Sequence, residues 1–205
     1  EGNTIYLGKD KTPLTVISFR QNGKFDFELD PIIAAVRTKE DFDVALRSDV
    51  KCIFLLSSNI RDIDDFADKA HSADKLLFIH MDFADGLSKD AAGVAYLATK
   101  NIDGVISTRS NIISAAKECG FFAIQRFFMV DSRSVDTALE SLRQSKADMV
   151  EIMPALAYKS IARIKKSINI PIIAGGLIEF KEEIYSALGA GASMVSTGKQ
   201  ELWND

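Results

Sequence analysis

Two short glycine-bearing segments, Ala174-Gly175-Gly176 and Ser196-Thr197-Gly198, each close an apolar run. Glycine lets a backbone approach an anion closely, hydroxyls donate hydrogen bonds, and a helix starting just beyond offers free N–H groups. The chemistry implied is the holding of a phosphate, although the same residues also serve where a chain simply turns from strand to helix. A second set consists of polar residues where apolar ones are expected: His80, Asp82, Arg109, Gln125, Arg126 and Glu151. Buried charges are costly unless paired or bound to a ligand, so this set is either a ligand site or a satisfied network, with Arg126 to Glu151 the natural pair.

Other chemistries lack their residues. Lys51 and Lys75 precede apolar runs, so neither is a strand-end lysine placed for a Schiff base. His71 and His80 are the only histidines, too few for a histidine-rich metal site, though not against a carboxylate-bound Mg²⁺. Cys52 lies inside an apolar run and Cys119 closes a helix-like stretch, so neither reads as an activated nucleophile. No catalytic residue, metal ligand or cofactor is assigned. The residues suit an anionic small molecule, with little evident machinery to transform it.

The elements that would position these groups repeat along the chain. Apolar runs at Pro31–Val36, Cys52–Leu56, Leu76–Met81, Gly104–Ser107, Phe121–Phe128, Met149–Met153, Pro171–Ala174 and Met194–Thr197 alternate with polar, helix-like stretches such as Val135–Gln144 and Tyr158–Ile168. Near-continuous apolar runs mark parallel strands buried on both faces. Eight strand–helix units close most naturally into an α/β fold of the (β/α)8 TIM-like barrel type, in which sites lie at the C-terminal ends of the strands. A doubly wound open sheet is the alternative, but no Gly-x-Gly-x-x-Gly follows the first strand. Residues 1–30 stand outside the repeat that fills 31–205. There Thr15–Arg20 and Lys24–Leu29 flank Gln21-Asn22-Gly23, a hairpin signal. The apolar face of that hairpin (Ile17, Phe19, Phe25, Phe27 and Leu29) must pack on the barrel or on another chain, which leaves a homo-oligomer open.

The chain has 205 residues, 47% of them hydrophobic, and a net charge of −4. That composition excludes disorder, a disulfide scaffold and a membrane span, and attraction of any partner by net charge alone. Two lone cysteines and the lack of an export signal favour the cytoplasm.

The segments HMDFADGL (80–87), DGVISTRSN (103–111), AIQRFFMVDS (123–132), VEIMP (150–154), IPIIAGGLI (170–178) and VSTGKQELW (195–203) resemble, in that order, the glycerol uptake operon antiterminator family. These are glycerol-3-phosphate-responsive regulators of bacterial glycerol genes. The resemblance implies a TIM-like barrel that binds glycerol 3-phosphate as effector and acts on leader mRNA, preventing transcription termination. Its ligand positions carry over as Asp82, Arg109, Gln125, Arg126, Glu151, Gly175, Gly176, Ser196 and Thr197, with Gly198 beside them. The chain departs from the family pattern at Pro154-Ala155 and at Thr197-Gly198-Lys199, where Lys199 offers a further phosphate contact. With a negative net charge, RNA contact must be local. The densest basic cluster follows the sixth run, where Lys159, Arg163 and Lys166 share one helical face. The competing reading is a barrel enzyme acting on a phosphorylated small molecule, with Asp82 or Glu151 as general base.

Overall fold

The computed structural model describes residues 16–19, 23–26 and 29–204. At the N-terminus β1 (Val16–Phe19) and β2 (Gly23–Asp26) pair antiparallel, with Ile17 opposite Phe25 and Phe19 opposite Gly23. Gly23 therefore opens the second strand instead of closing the turn. Gln21, Asn22 and Phe27 lie outside the described residues, as does the packing of the hairpin's apolar face.

The repeat begins with β3 (Ile32–Val36), α1 (Lys39–Arg47), β4 (Cys52–Leu55), a short β5 (Ser58–Asn59) and α2 (Ile63–Ser72). It continues through β6 (Leu76–His80), a short β7 (Ala84–Asp85), α3 (Ala91–Leu97), β8 (Gly104–Ser107) and α4 (Ser110–Glu118). It ends with β9 (Phe122–Phe128), α5 (Arg133–Ser145), β10 (Met149–Met153), α6 (Tyr158–Lys165), β11 (Ile172–Gly175), α7 (Lys181–Gly189) and β12 (Met194–Thr197). The eight longer strands of this repeat form a closed parallel barrel in which β12 pairs back onto β3, Val195 opposite Ile32. The TIM-like barrel read from the apolar runs is the fold observed, and the open sheet is excluded by that closing pair.

Successive side chains of a strand point to opposite sides, so each barrel strand feeds two cores. Ile33, Phe54, Phe78, Ile106, Phe122, Ile124, Met149, Ile173 and Met194 form the interior cluster. Their sequence neighbours Ala34, Ile53, Leu77, Val105, Ala123, Val150, Ile172 and Val195 join the helices in the outer one. Inside, the Phe78 ring lies 5.5 Å from that of Phe54 and 5.9 Å from that of Phe122, the latter edge-on. Gly104 makes room for them, because a Cβ there would sit 2.4 Å from the Phe122 carbonyl oxygen and from the Phe78 ring.

The N-terminal ends of the strands are pinned by polar clamps. Asp103, just before β8, accepts from the Leu77 N–H of β6 and pairs with His71 at 2.9 Å. Asp148, just before β10, accepts from the Ala123 N–H of β9 and pairs with Lys117 at 2.6 Å. Buried Lys75 donates to the carbonyls of Ser48 and Val50, which holds it at the closed end, away from any ligand.

The regular alternation fails at its last step. After β12 comes a single 3-10 turn, Gln200–Leu202, instead of an eighth α-helix. Trp203 covers that gap: its indole is buried and Nε1 donates to the Thr197 carbonyl at 2.8 Å. Gln200 ties the turn to α1 by donating to Asp41 at 2.7 Å.

Gly104→Ala is expected to destabilise the barrel by about 1–3 kcal/mol, the usual cost of overpacking. Urea unfolding monitored by circular dichroism would measure it, and an unchanged midpoint would show that the phenylalanine layer is looser than described.

Candidate ligand site at the mouth of the barrel

The interior alternation that stacks apolar layers ends in a polar one. Continuing each inward row by two residues leads from Ile124 to Arg126, from Met149 to Glu151, from Ile173 to Gly175, from Met194 to Ser196 and from Phe78 to His80. Arg126 Nε donates to Glu151 Oε2 at 2.6 Å and Ser196 Oγ donates to Glu151 Oε1 at 2.6 Å. All three residues are buried. A Cβ on Gly175 would come within 2.5 Å of both Glu151 Oε1 and Ser196 Oγ, so glycine is what lets this hydrogen bond form. The layer is thus partly the satisfied network foreseen from the residue types.

Gln125 does not belong to it. One residue before Arg126, it points out of the barrel. Its amide donates to Ser141 and its carbonyl accepts from Ser145, both on α5. Strand alternation sends adjacent residues to opposite faces, which separates it from the mouth. Thr197 likewise faces away from Ser196. It donates to the Ile178 carbonyl and accepts from the Lys199 N–H, tying the loops after β11 and β12 together. Gly176, at φ +78, and Leu177, at φ 60, turn the chain sharply after β11. Gly198 is exposed, and a Cβ there would meet only the Ala35 carbonyl, at 3.4 Å.

Asp82 lies on a 3-10 turn, Met81–Phe83, beyond the end of β6. Its carboxylate accepts from Ser107 Oγ at 2.5 Å, from the Thr108 N–H at 2.9 Å and from Thr108 Oγ1 at 2.7 Å. Burial alone would raise its pKa, but these donors together outweigh burial and hold it below the usual aspartate value. Arg109 caps α4 with an exposed side chain, and its backbone N–H donates to Ser107 Oγ.

The sequence reading of the site leaves out Arg37 and gives His80 no ligand role. Arg37 stands one residue beyond β3, exposed at the mouth. Among the described residues neither its guanidinium nor that of Arg109 takes part in a salt bridge. His80, flagged as polar but not assigned to the ligand, is 1% exposed, and among the described residues neither ring nitrogen has a hydrogen-bond partner. Its ring lies under that of Phe83, centroids 5.1 Å apart. Burial, then the nearby charges of Arg126 and Arg37, push its pKa down to about 4, against the opposing pull of Asp82. His80 is therefore a neutral imidazole at pH 7. Lys89 also reaches the mouth loops, donating to the Ala84 carbonyl.

The mouth thus combines the cations Arg37, Lys89, Arg109 and Arg126 with two carboxylates whose oxygens are already bonded. That arrangement can hold a small anion. It offers a poor general base, because Glu151 accepts on both oxygens and Asp82 is kept ionised by its donors. Among the described residues no group of three His, Cys, Asp or Glu side chains is arranged to hold a metal ion. Lys159, Arg163 and Lys166 are exposed on and just past α6, where Arg163 pairs with Asp136 at 2.6 Å. No described helix is long and apolar enough to cross a membrane.

Comparison with known proteins places this barrel. The family described as glycerol-3-phosphate responsive antiterminator matches residues 32–203, and the chain belongs to that family. It is similar to the uncharacterized protein YgcP of Escherichia coli K12, 34% identical over 174 residues that cover 84% of this chain and 91% of that protein. It is also similar to the crystal structure of the glycerol uptake operon antiterminator regulatory protein of Listeria monocytogenes. That match has 31% identity and a TM-score of 0.80, covering 84% of this chain and 94% of the other. A glycerol uptake operon antiterminator-related protein of Thermotoga maritima matches at 29% identity and a TM-score of 0.76, with 85% and 98% covered.

Glu151→Ala is expected to cost about 3–5 kcal/mol in urea unfolding, because it strands the Arg126 charge in the barrel. A second expectation concerns acid. His80 has a lower pKa folded than unfolded, so on acidification the unfolded chain takes up this proton first. Its contribution to stability is full above about pH 6.5 and falls as the pH approaches 4, by up to ~3 kcal/mol. Thermal melts of wild type and His80→Asn across that window would test it, and parallel curves would count against the assignment.

Proposed function

We propose that this chain binds glycerol 3-phosphate at the mouth of its barrel. In response it binds the leader mRNA of glycerol-metabolism genes and prevents transcription termination. The observation that carries the reading is an anion-suited mouth, rich in cations and hydroxyls, on a chain of the glycerol-3-phosphate-responsive family. Arg37 and Arg109 supply planar, five-donor forks for a phosphate. Gly175 and Gly176 supply an approachable backbone. His80, neutral and unbonded, faces the polyol end of the ligand. No cofactor is needed, since the effector is bound and not converted, and the protein works in the cytoplasm, where transcripts are made.

The enzyme reading rests on Asp82 or Glu151 acting as general base. The bonds that both carboxylates already make speak against it.

Isothermal titration calorimetry and thermal shift with glycerol 3-phosphate test the proposal. Saturation at a hundredfold excess over Kd is expected to stabilise the fold by roughly 2.7 kcal/mol. Glycerol, lacking the charge, is expected to bind far more weakly. Arg37→Ala and Arg109→Ala remove exposed side chains, so they are expected to leave Tm within about a degree or two while weakening binding roughly tenfold or more, as for a lost charged hydrogen bond. Arg126→Ala is a poorer probe, because it leaves Glu151 buried without its partner. Absence of any response to millimolar glycerol 3-phosphate would remove the proposal.

A further inference from the structure

Most of the large apolar side chains that stand exposed on the described surface share one end of the barrel. Phe83 follows β6, Phe128 and Val130 end and follow β9, Leu156 follows β10, and Leu177 and Phe180 follow β11. In a barrel of parallel strands these positions all lie on the C-terminal face, around the mouth. Phe83, Phe128 and Phe180 are 61%, 54% and 60% exposed. Exposed aromatic rings are unfavourable in water and call for a partner.

Their setting says which partner. The rings sit on separate loops, with Arg37 and Arg109, whose guanidinia make no salt bridge among the described residues, on the loops after β3 and β8. Several carboxylates of the same face are occupied by backbone. Asp131 accepts from the N–H groups of Arg133 and Ser134, and Glu183 from those of Glu179 and Phe180. The acidic side chains of this face include Asp62, Asp65 and Asp85, which line a cavity of about 360 Å³ between the loops after β4 and β6, and exposed Glu179 and Glu182 beside Phe180. Spaced aromatic faces interleaved with guanidinium groups match splayed bases and their phosphates, which stack on rings and bond to arginines. The basic face of α6 offers charge without such rings, and its Arg163 is already held by Asp136 and the Ser132 carbonyl.

We infer that the rim of the barrel mouth, and not the basic face of α6, is the surface that grips single-stranded RNA, with bases stacked on Phe83, Phe128 and Phe180 and phosphates on Arg37 and Arg109. This rests on the proposed function above, and it adds how effector and transcript communicate. Arg37 and Arg109 serve both ligands, and the Phe83 ring that faces the RNA lies on His80, beside Arg126. Glycerol 3-phosphate seated at the mouth therefore changes the surface that RNA meets, with no hinge between domains.

The test is a gel-retardation titration of a labelled leader transcript from a glycerol-metabolism gene of the same genome, with a scrambled transcript of equal length as control. Three proteins are compared with and without glycerol 3-phosphate: wild type, the rim variant Phe128→Ser/Phe180→Ser and the helix variant Lys159→Glu/Arg163→Glu. Both phenylalanines are exposed, and serine is a favourable residue at the N-cap that Phe180 occupies, so the rim variant is expected to fold normally. It should bind glycerol 3-phosphate as wild type does in calorimetry, yet bind RNA roughly fivefold to a hundredfold more weakly per ring removed. The helix variant should keep its RNA affinity. Full RNA affinity in the rim variant, or its loss in the helix variant alone, overturns the inference and leaves the proposed function intact. Failure of wild type to retain leader RNA in either state overturns the RNA part of the proposed function and this inference with it. Rim substitutions that abolish self-association in sizing experiments but leave RNA binding unchanged would reassign the rim as a contact between copies.

Discussion

A guanidinium at the centre of a barrel survives only if something shares the cost of taking it out of water. Arg126 meets Glu151 across neighbouring strands, and Glu151 has its second oxygen bonded by Ser196 from two strands further round. The geometry around that pair follows from it. Gly175 must lack a side chain because the carboxylate and hydroxyl meet where its Cβ would be. His80 must stay neutral because a second positive charge beside Arg126 in so dry a place is unfavourable. The pair also marks where the hydrophobic plug stops. Below it phenylalanine, isoleucine and methionine fill the interior, and above it the mouth loops present arginine, lysine and hydroxyl groups.

The two ends of the barrel divide the work of the protein. At the N-terminal end, Asp103, Asp148 and Lys75 join strand starts to the preceding loops and helices. At the C-terminal end the side chains of Arg37 and Arg109 are exposed and, among the described residues, take part in no salt bridge. This matches the general division of such barrels into a stabilising face and a working face.

The barrel was largely legible in the amino-acid order. Each of the eight barrel strands begins and ends within one residue of its apolar run, because a parallel strand buried on both faces needs an unbroken apolar stretch. The eighth helix was not legible, since the polar residues after Thr197 look like any helix start and only the burial of Trp203 shows what replaces it. Within the site, Arg126 and Glu151 were readable as a pair. Gln125 was grouped with them by proximity, although adjacent strand residues face opposite ways and that rule alone would have set it apart. Arg37 was missed because it follows its apolar run by one residue and belongs to no glycine or hydroxyl motif. The isolation of His80 depends on what its neighbours do not offer, which residue types cannot reveal.

The clamps at the closed end recur in kind. Asp103 reaches back to the second residue of β6 and to the helix before it, and Asp148 does the same to β9 and α4. Each clamp joins a helix, the strand that follows it and the start of the next barrel strand, so each fixes the register of its own α–β–β segment without help from the rest of the ring. A chain assembled from such self-registering units can grow by tandem duplication, because a copied unit brings its own alignment with it.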